Sequence, residues 1–179
     1  MPHEQLWAPW RLAYITGTDR PAEKPDGALA FLPGADRACF LCRAVADDAS
    51  ADRTNLLVAR GERTMTILNR YPYNNGHLLV APLRHVGLLG DLDDAEHLAL
   101  QRELARFVAL LESSMNAEGF NIGLNLGRAA GAGLPGHLHW HIVPRWSGDT
   151  NFMSSVDAVR VIPQALEALW DYLREAMGG

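Results

Sequence analysis

The segment 137–143 constrains the fold of this chain more than any other, because three histidines alternate in it with three large apolar residues. Successive side chains of an extended strand point to opposite faces of a sheet. A strand here therefore places the three imidazoles on one face, about 6.6 Å apart at the usual strand rise. Leu138, Trp140 and Ile142 then share the other face, which we expect to be buried in a core.

A row of imidazoles beside a glycine-rich loop indicates phosphate chemistry. Histidine is suited to proton transfer, metal binding and phosphoryl transfer near neutral pH. The segment 127–136, which leads into the histidines, contains four glycines, and the exposed backbone N–H groups of such loops hold phosphate oxygens. We expect His139 to attack the α-phosphate of a nucleotide as the nucleophile, with His137 and His141 as flanking donors.

A catalytic metal centre is the alternative interpretation of a His-x-His pair. Such centres usually include a carboxylate or a further histidine among their ligands. The segment 137–143 contains no Asp or Glu, and the next acidic residue along the chain is Asp149.

The composition excludes several classes of partner. Hydrophobic residues make up 48% of the 179 residues, which is typical of a packed domain. The net charge of −5 argues against broad binding to DNA or RNA, which requires a basic face, but not against a small phosphate ligand. The sequence shows neither a run of eighteen apolar residues nor the core of a signal peptide. We therefore expect a cytoplasmic protein with no nucleic-acid partner, no membrane partner and no organic cofactor.

Hydrophobic periodicity predicts an α+β domain with a mainly antiparallel five-stranded sheet, one long helix and a C-terminal helix. Asp93 and Glu96 form a candidate capping box at the start of the long helix, and Gly119 is its predicted stop. The C-terminal helix is predicted over residues 163–177. We expect residues 1–38 to be an arm and loop, and residues 39–179 to be a single domain. The predicted strands cover residues 55–60, 64–69, 77–82, 120–126 and 137–143.

Several motifs together resemble the histidine triad (HIT) family of nucleotide hydrolases and transferases, in particular its bacterial branch related to diadenosine tetraphosphate phosphorylases. The first is His137-x-His139-x-His141 followed by two apolar residues. The resemblance extends over residues 6–170. Its other motifs are Leu68-Asn69-Arg70 with Pro72, residues 76–82, residues 121–127, residues 6–11 and Pro144-Arg145-Trp146.

This resemblance implies a HIT-like fold and an enzyme acting on dinucleoside polyphosphates, such as diadenosine tetraphosphate, through a covalent nucleotidyl-histidine intermediate. It implies that His139 is the nucleophile, that His141 contacts phosphate, and that His77 is a buried histidine that orients the triad. It also implies that Asn69 contacts the ribose and that Asn125 contacts phosphate near the scissile bond.

The loop before the triad departs from the family pattern, which has a Ser, Thr or Gln there. Residues 132–136 contain no hydroxyl group, so the backbone N–H groups of Ala132 or Gly133 would have to assist the leaving group instead. A nucleotide-binding sensor without catalysis therefore stays open as an alternative function. A nucleoside phosphoramidase is a further alternative, as a variant of the same reaction.

The only two cysteines of the chain, Cys39 and Cys42, have the two-residue gap of a zinc knuckle. In an intracellular protein such a pair is more typical of metal or redox chemistry than of a structural disulfide. The resemblance implies a structural zinc whose remaining ligands are His85 and His137. A reduced pair without metal and a redox dithiol are the alternatives.

The resemblance also implies a homodimer. Trp7 and Trp10 in the N-terminal arm and Trp170 in the C-terminal helix can cover a neighbouring subunit, or pack within their own chain.

Overall fold

A five-stranded antiparallel sheet organises the protein. The computed structural model describes residues 25–149 and 164–178, so the predicted arm at residues 6–11 lies outside the described residues, as does Pro163. The sheet has the order β1-β2-β3-β5-β4, and each neighbouring pair is antiparallel, which confirms the predicted fold class. Its strands are β1 (Leu57–Arg60), β2 (Thr64–Leu68), β3 (Leu78–Pro82), β4 (Gly119–Leu124) and β5 (Trp140–Arg145).

The long helix begins at the predicted capping box but ends earlier than predicted. The Asp93 side chain accepts a hydrogen bond from the Glu96 amide, and the Glu96 side chain accepts one from the Asp93 amide. The helix ends at Met115 because Asn116 adopts a left-handed conformation (φ 51°), which Asn tolerates better than most residues. The predicted stop at Gly119 is therefore wrong, and Gly119 instead begins β4.

The structure contains two short helices that the sequence does not predict. They are four and seven residues long, so they give at most two turns of hydrophobic periodicity. In chain order the α-helices are α1 (Phe40–Ala46), α2 (Asp52–Asn55), α3 (Asp94–Met115) and α4 (Leu166–Ala176). Among the described residues, no helix is long and apolar enough to span a bilayer.

Helix α3 packs against one face of the sheet and contacts β2, β3 and β5. Its buried stripe consists of Leu100, Leu104, Phe107 and Leu111, as the periodicity predicts. The other helices lie near the β1 edge, where the Trp170 indole of α4 donates a hydrogen bond to the Leu57 carbonyl at 2.9 Å. The opposite edge strand is β4.

The histidine segment begins outside the sheet. Strand β5 starts only at Trp140, so the prediction of a strand from His137 is wrong by three residues. Before the strand, the Leu138 amide donates a hydrogen bond to the Val86 carbonyl at 2.7 Å. The predicted alternation nevertheless holds, because Leu138, Trp140 and Ile142 are all buried in the core. Residues 137–139 therefore precede the strand, and Leu138 is bonded to the segment that follows β3.

Candidate active site

His139 and His141 lie side by side. His141 is in β5, directly opposite Leu79 of β3 and Gly123 of β4, so its imidazole lies on the face of the sheet opposite Trp140 and Ile142. The rings of His139 and His141 meet edge to face, with centroids 5.3 Å apart. The predicted adjacency of these two imidazoles is present in the structure.

The hydrogen bond of His139 fixes its tautomer. Its Nδ1 lies 2.8 Å from the His137 carbonyl oxygen, and a carbonyl can only accept, so Nδ1 carries the proton. The lone pair of the neutral ring is then on Nε2, which has no hydrogen-bond partner among the described residues. Burial lowers the pKa of His139, which favours the neutral ring at neutral pH. A neutral imidazole with a lone pair on Nε2 is the form that attacks phosphorus.

A second chain of hydrogen bonds fixes the tautomers of His77 and His141. The Tyr73 backbone N–H donates to Nδ1 of His77 at 3.0 Å, so the proton of His77 is on Nε2. That N–H donates to Nδ1 of His141 at 2.9 Å, and the proton of His141 is therefore on its own Nε2. His77 is fully buried and contacts His141, and the orienting role that the resemblance implies for it stays a prediction.

The Nε2–H of His141 is buried and has no hydrogen-bond partner among the described residues. An unsatisfied buried donor is costly, and such groups are frequent at binding and catalytic positions. Burial, with a further contribution from His139, lowers the pKa of His141 to about 4. The group is therefore a neutral donor positioned next to the candidate nucleophile, which suits the recognition of a phosphate oxygen.

Cys39, Cys42, His85 and His137 form a candidate metal centre, as the resemblance implies. Their four ligand atoms lie within 4.8 Å of one another. Nδ1 of His137 is 3.3 Å from Sγ of Cys39 and 3.6 Å from Sγ of Cys42, and Nδ1 of His85 is 3.4 Å from Sγ of Cys42. Zinc with tetrahedral geometry would hold such S and N ligands about 3.6 Å apart. The spacing and the donor set therefore fit this metal.

Neighbouring groups orient the ligands of this centre. Nε2–H of His137 donates to the Pro82 carbonyl at 2.9 Å, and Nε2 of His85 lies 3.9 Å from the Asp36 carboxylate. The thiol of Cys39, followed by the ring of His137, lowers the pKa of Cys42, which favours the thiolate that a metal requires. Nδ1 of His137 faces the two cysteines, and its Nε2 is bonded to Pro82. No nitrogen of His137 is therefore available to donate to a phosphate, as its predicted flanking role requires.

The two asparagines predicted to bind the nucleotide lie in different surroundings. Oδ1 of Asn69 accepts a hydrogen bond from the Tyr71 amide at 3.0 Å, and its Nδ2 lies 3.3 Å from Nδ1 of His77, so its amide already has partners within the β2–β3 turn. Asn125 is half-buried and directly follows β4. The roles of both residues stay predictions.

The glycine-rich loop folds partly on itself. The Ala132 amide donates to the Gly127 carbonyl at 3.3 Å, so this N–H already has a partner within the loop, and its role as a leaving-group donor stays a prediction. Gly133 is exposed, and its predicted role stays open to test.

Two groups of residues make contacts that the sequence does not predict. One is Tyr73, whose ring centroid lies 4.8 Å from that of His77 and 5.9 Å from that of His141. The other is a clamp at the end of β5, where the Arg145 guanidinium pairs with the Asp149 carboxylate, and Nδ2 of Asn74 donates to the same carboxylate at 3.0 Å. Residues 71–76 include Pro72, two asparagines and Gly76, which predict a turn but do not reveal its tertiary partners.

Comparison with known proteins identifies the family. A family model described as "HIT domain" matches residues 50–148. The AP-4-A phosphorylase of Mycobacterium tuberculosis is 37% identical over 163 residues, which cover 91% of this chain and 78% of that protein. The asymmetrical bis(5'-nucleosyl)-tetraphosphatase of Schizosaccharomyces pombe is 34% identical over 90 residues, which cover 50% of this chain and 49% of that protein.

A solved structure gives the same result for the fold. The crystal structure of a Zn-bound histidine triad family protein from Mycobacterium smegmatis matches with a TM-score of 0.62 at 28% identity, covering 78% of this chain and 93% of that one. The family model spans more than half of the chain, and the mycobacterial relative matches nine tenths of it. The chain therefore belongs to the histidine triad (HIT) family.

Proposed function

We propose that this protein transfers a nucleoside monophosphate group from a dinucleoside polyphosphate, such as diadenosine tetraphosphate, to water or inorganic phosphate through a nucleotidyl-His139 intermediate. The protein is an enzyme, a HIT-family nucleotidyl hydrolase or phosphorylase, as its family and the two curated relatives indicate. The observation that carries the proposal is the pair of complementary tautomers: a lone pair on Nε2 of His139 beside a buried, unpaired N–H on His141.

In the first step, Nε2 of His139 attacks the α-phosphorus of the bound nucleotide. An N–P bond forms, and the P–O bond to the remaining nucleoside polyphosphate breaks, so this group leaves with the bonding electron pair. The Nε2–H of His141 donates to a non-bridging oxygen of the phosphoryl group and stabilises the charge that accumulates on it. The imidazole of His139 becomes cationic, and its Nδ1–H keeps the hydrogen bond to the His137 carbonyl.

In the second step, the acceptor attacks the phosphorus and the N–P bond breaks, which returns the electron pair to Nε2 of His139. Water as the acceptor releases a nucleoside monophosphate, and inorganic phosphate as the acceptor releases a nucleoside diphosphate. The acceptor loses its proton to solvent or to the departed polyphosphate. Splitting one displacement into two lowers the barrier of each.

We also propose that the candidate metal centre holds a structural zinc. The donor set, the interatomic distances and the lowered pKa of Cys42 support this assignment. A bound zinc would supply no reaction step, but would fix the imidazole of His137 and hence the backbone carbonyl that sets the tautomer of His139.

A homodimer that joins the edge strands is the third part of the proposal. Strand β4 lies at an edge of the sheet, and Ile122 in it is 47% exposed. Ile122 also lines an open, mainly apolar groove along α3, together with Leu104, Ala105, Val108 and Ala109. Light scattering on the wild type and on Ile122→Glu tests this assembly, and equal masses for the two proteins would refute the interface.

The function is tested by comparing His139→Ala with His97→Ala, since His97 is an exposed histidine of α3. We expect His139→Ala to keep the melting temperature and lose turnover of diadenosine tetraphosphate, while His97→Ala keeps both. Turnover of the wild type with and without added phosphate identifies the acceptor through the monophosphate and diphosphate products. Undiminished turnover by His139→Ala would refute the mechanism, and tight nucleotide binding without turnover by the wild type would favour the sensor instead.

A further inference from the structure

Tyr73 is not among the residues predicted for the site, yet its backbone and its ring both contact histidines of the site. It lies in the turn between β2 and β3, and its side chain is 50% exposed. Its backbone N–H is the first donor of the hydrogen-bond chain that passes through His77 to His141. Its ring lies at 31° to the ring of His77 and at 26° to the ring of His141. Tyr73 therefore contacts His77 through its backbone N–H and both histidines through its ring.

The backbone group helps determine where the proton of His141 lies. A backbone amide can only donate, so the His77 nitrogen that faces it must accept. Nδ2 of Asn69, 3.3 Å from the same nitrogen, is a second donor. If both donors were displaced from this nitrogen, His77 could place its proton on Nδ1 and turn a lone pair towards His141. His141 would then carry its proton on Nδ1 and direct a lone pair, instead of an N–H, at the phosphate oxygens. Two lone-pair-bearing atoms repel, so the wrong tautomer would oppose catalysis.

The ring of Tyr73 holds the histidines in the geometry on which this proton arrangement depends. His77 is fully buried, and Nε2 of His141 has no solvent exposure although the rest of the ring is only half-buried. Aromatic rings at such centroid distances attract one another beyond the apolar area they bury. The half-exposed tyrosine ring thus packs on the histidine pair from the solvent side.

We infer that Tyr73 is a positioning residue for the proposed reaction, whose ring keeps the His77–His141 pair in the tautomers that make Nε2 of His141 a donor. The expected effect on kcat rests on the proposed function, whereas the expected effect on the histidine tautomers does not. Tyr73 touches no reacting atom in this scheme and acts through His77 and His141. Because the ring and not the hydroxyl makes these contacts, a phenylalanine should replace it.

The test compares Tyr73→Phe, Tyr73→Leu and Tyr73→Ala in the full-length protein. Nitrogen-15 NMR of the histidine side chains reports the tautomers directly. We expect Nε2–H forms of His77 and His141 in the wild type and in Tyr73→Phe, and a mixture of tautomers in Tyr73→Ala. The kcat for diadenosine tetraphosphate should fall by about 10- to 100-fold in Tyr73→Ala, approaching the loss typical of an oxyanion-stabilising donor, with little change in KM.

Tyr172→Ala is the matched control, because Tyr172 is another partly exposed tyrosine, placed on α4 and bonded to the Ser114 carbonyl. It should leave the tautomers and kcat unchanged. Unaltered tautomers in Tyr73→Ala and Tyr73→Leu would overturn the inference, as would an increase of KM alone, which indicates direct contact with the nucleotide. A loss in Tyr73→Phe equal to that in Tyr73→Ala would assign the effect to the hydroxyl and also overturn it. If the wild type shows no turnover, only the proposed function fails, since the NMR result still decides the role of Tyr73.

Discussion

Gly123 offers a steric test of where the nucleotide binds. It lies directly opposite His141 in the antiparallel β4–β5 pair, so a side chain introduced there would stand beside the His141 imidazole on the same face of the sheet. A Cβ built at Gly123 meets no atom of the described residues within 4 Å, and its φ is not positive. The substitution Gly123→Leu therefore fills space that residues 25–149 and 164–178 leave open, and which the proposed mechanism assigns to the phosphate.

The expected effects on folding and on binding differ in size. Gly in a strand interior is weakly unfavourable, so we expect Gly123→Leu to change the free energy of unfolding by no more than about 1 kcal/mol. A nucleotide that must share the site with the leucine meets an overpacked contact, which costs about 1–3 kcal/mol. At about 1.4 kcal/mol per factor of ten, this predicts about a 5- to 150-fold increase in KM.

Gly119→Leu is the matched control. Gly119 belongs to the same strand, lies on the same face and has the same open space at its Cβ, but it pairs with Arg145, about 13 Å along the strand from Gly123. The assays are steady-state turnover of diadenosine tetraphosphate, calorimetric binding of adenosine monophosphate, and thermal melting of both variants. Wild-type KM and affinity in a folded Gly123→Leu protein would refute the placement of the nucleotide beside His141. Equal losses in both variants would refute it too.

Three further predictions concern the metal centre, the pH dependence and the long helix. Removing metal with a chelator, or replacing Cys39 with Ser, should lower the melting temperature and release about one equivalent of zinc per chain, measured by elemental analysis; an unchanged melting temperature after complete removal would contradict a structural role. The pKa of His141 is lowered in the folded state to about 4 from an ordinary value of 6.5, so the unfolded chain binds more protons between these values. The stability that neutral His141 contributes is thus present above pH 6.5 and lost as the pH falls towards 4. We therefore expect the melting temperature of His141→Gln to decrease less over that range than the melting temperature of the wild type or of the control His97→Gln. Asp93→Ala removes the capping-box acceptor and should lower the free energy of unfolding by about 1 kcal/mol in urea denaturation, whereas a change below experimental error would show that this cap contributes no net stability.

The regular elements were predictable because their signals are local. Strict alternation around Trp140 and Ile142 indicates a strand with one buried face, and the structure buries both side chains. The capping box at Asp93 and the apolar stripe from Leu100 to Leu111 predict α3. The C-terminal end of α3 was harder to predict from the sequence. Whether the helix ends before Asn116 or at Gly119 depends on where β4 must begin to reach the sheet.

The candidate site was predictable in its residue types but not in its hydrogen bonds. The resemblance to the HIT family brings His77, His139 and His141 together, and the structure places their rings in contact. It does not reveal that Tyr73 provides the first donor of the chain, because that contact forms only when the β2–β3 turn closes. The engagement of both His137 nitrogens likewise depends on Pro82 and on two cysteines nearly one hundred positions away.

The sequence by itself determined which side chains can share a face, because the two-residue period of a strand and the 3.6-residue period of a helix are properties of the local backbone. It therefore specified the alternation of histidines with buried apolar residues in segment 137–143 and the apolar stripe of the long helix. Only the tertiary structure decided which nitrogen of each imidazole carries its proton. That choice depends on whether the neighbouring atom donates or accepts, and those neighbours, the Tyr73 amide, the His137 carbonyl and the Pro82 carbonyl, face the rings only after the chain has folded.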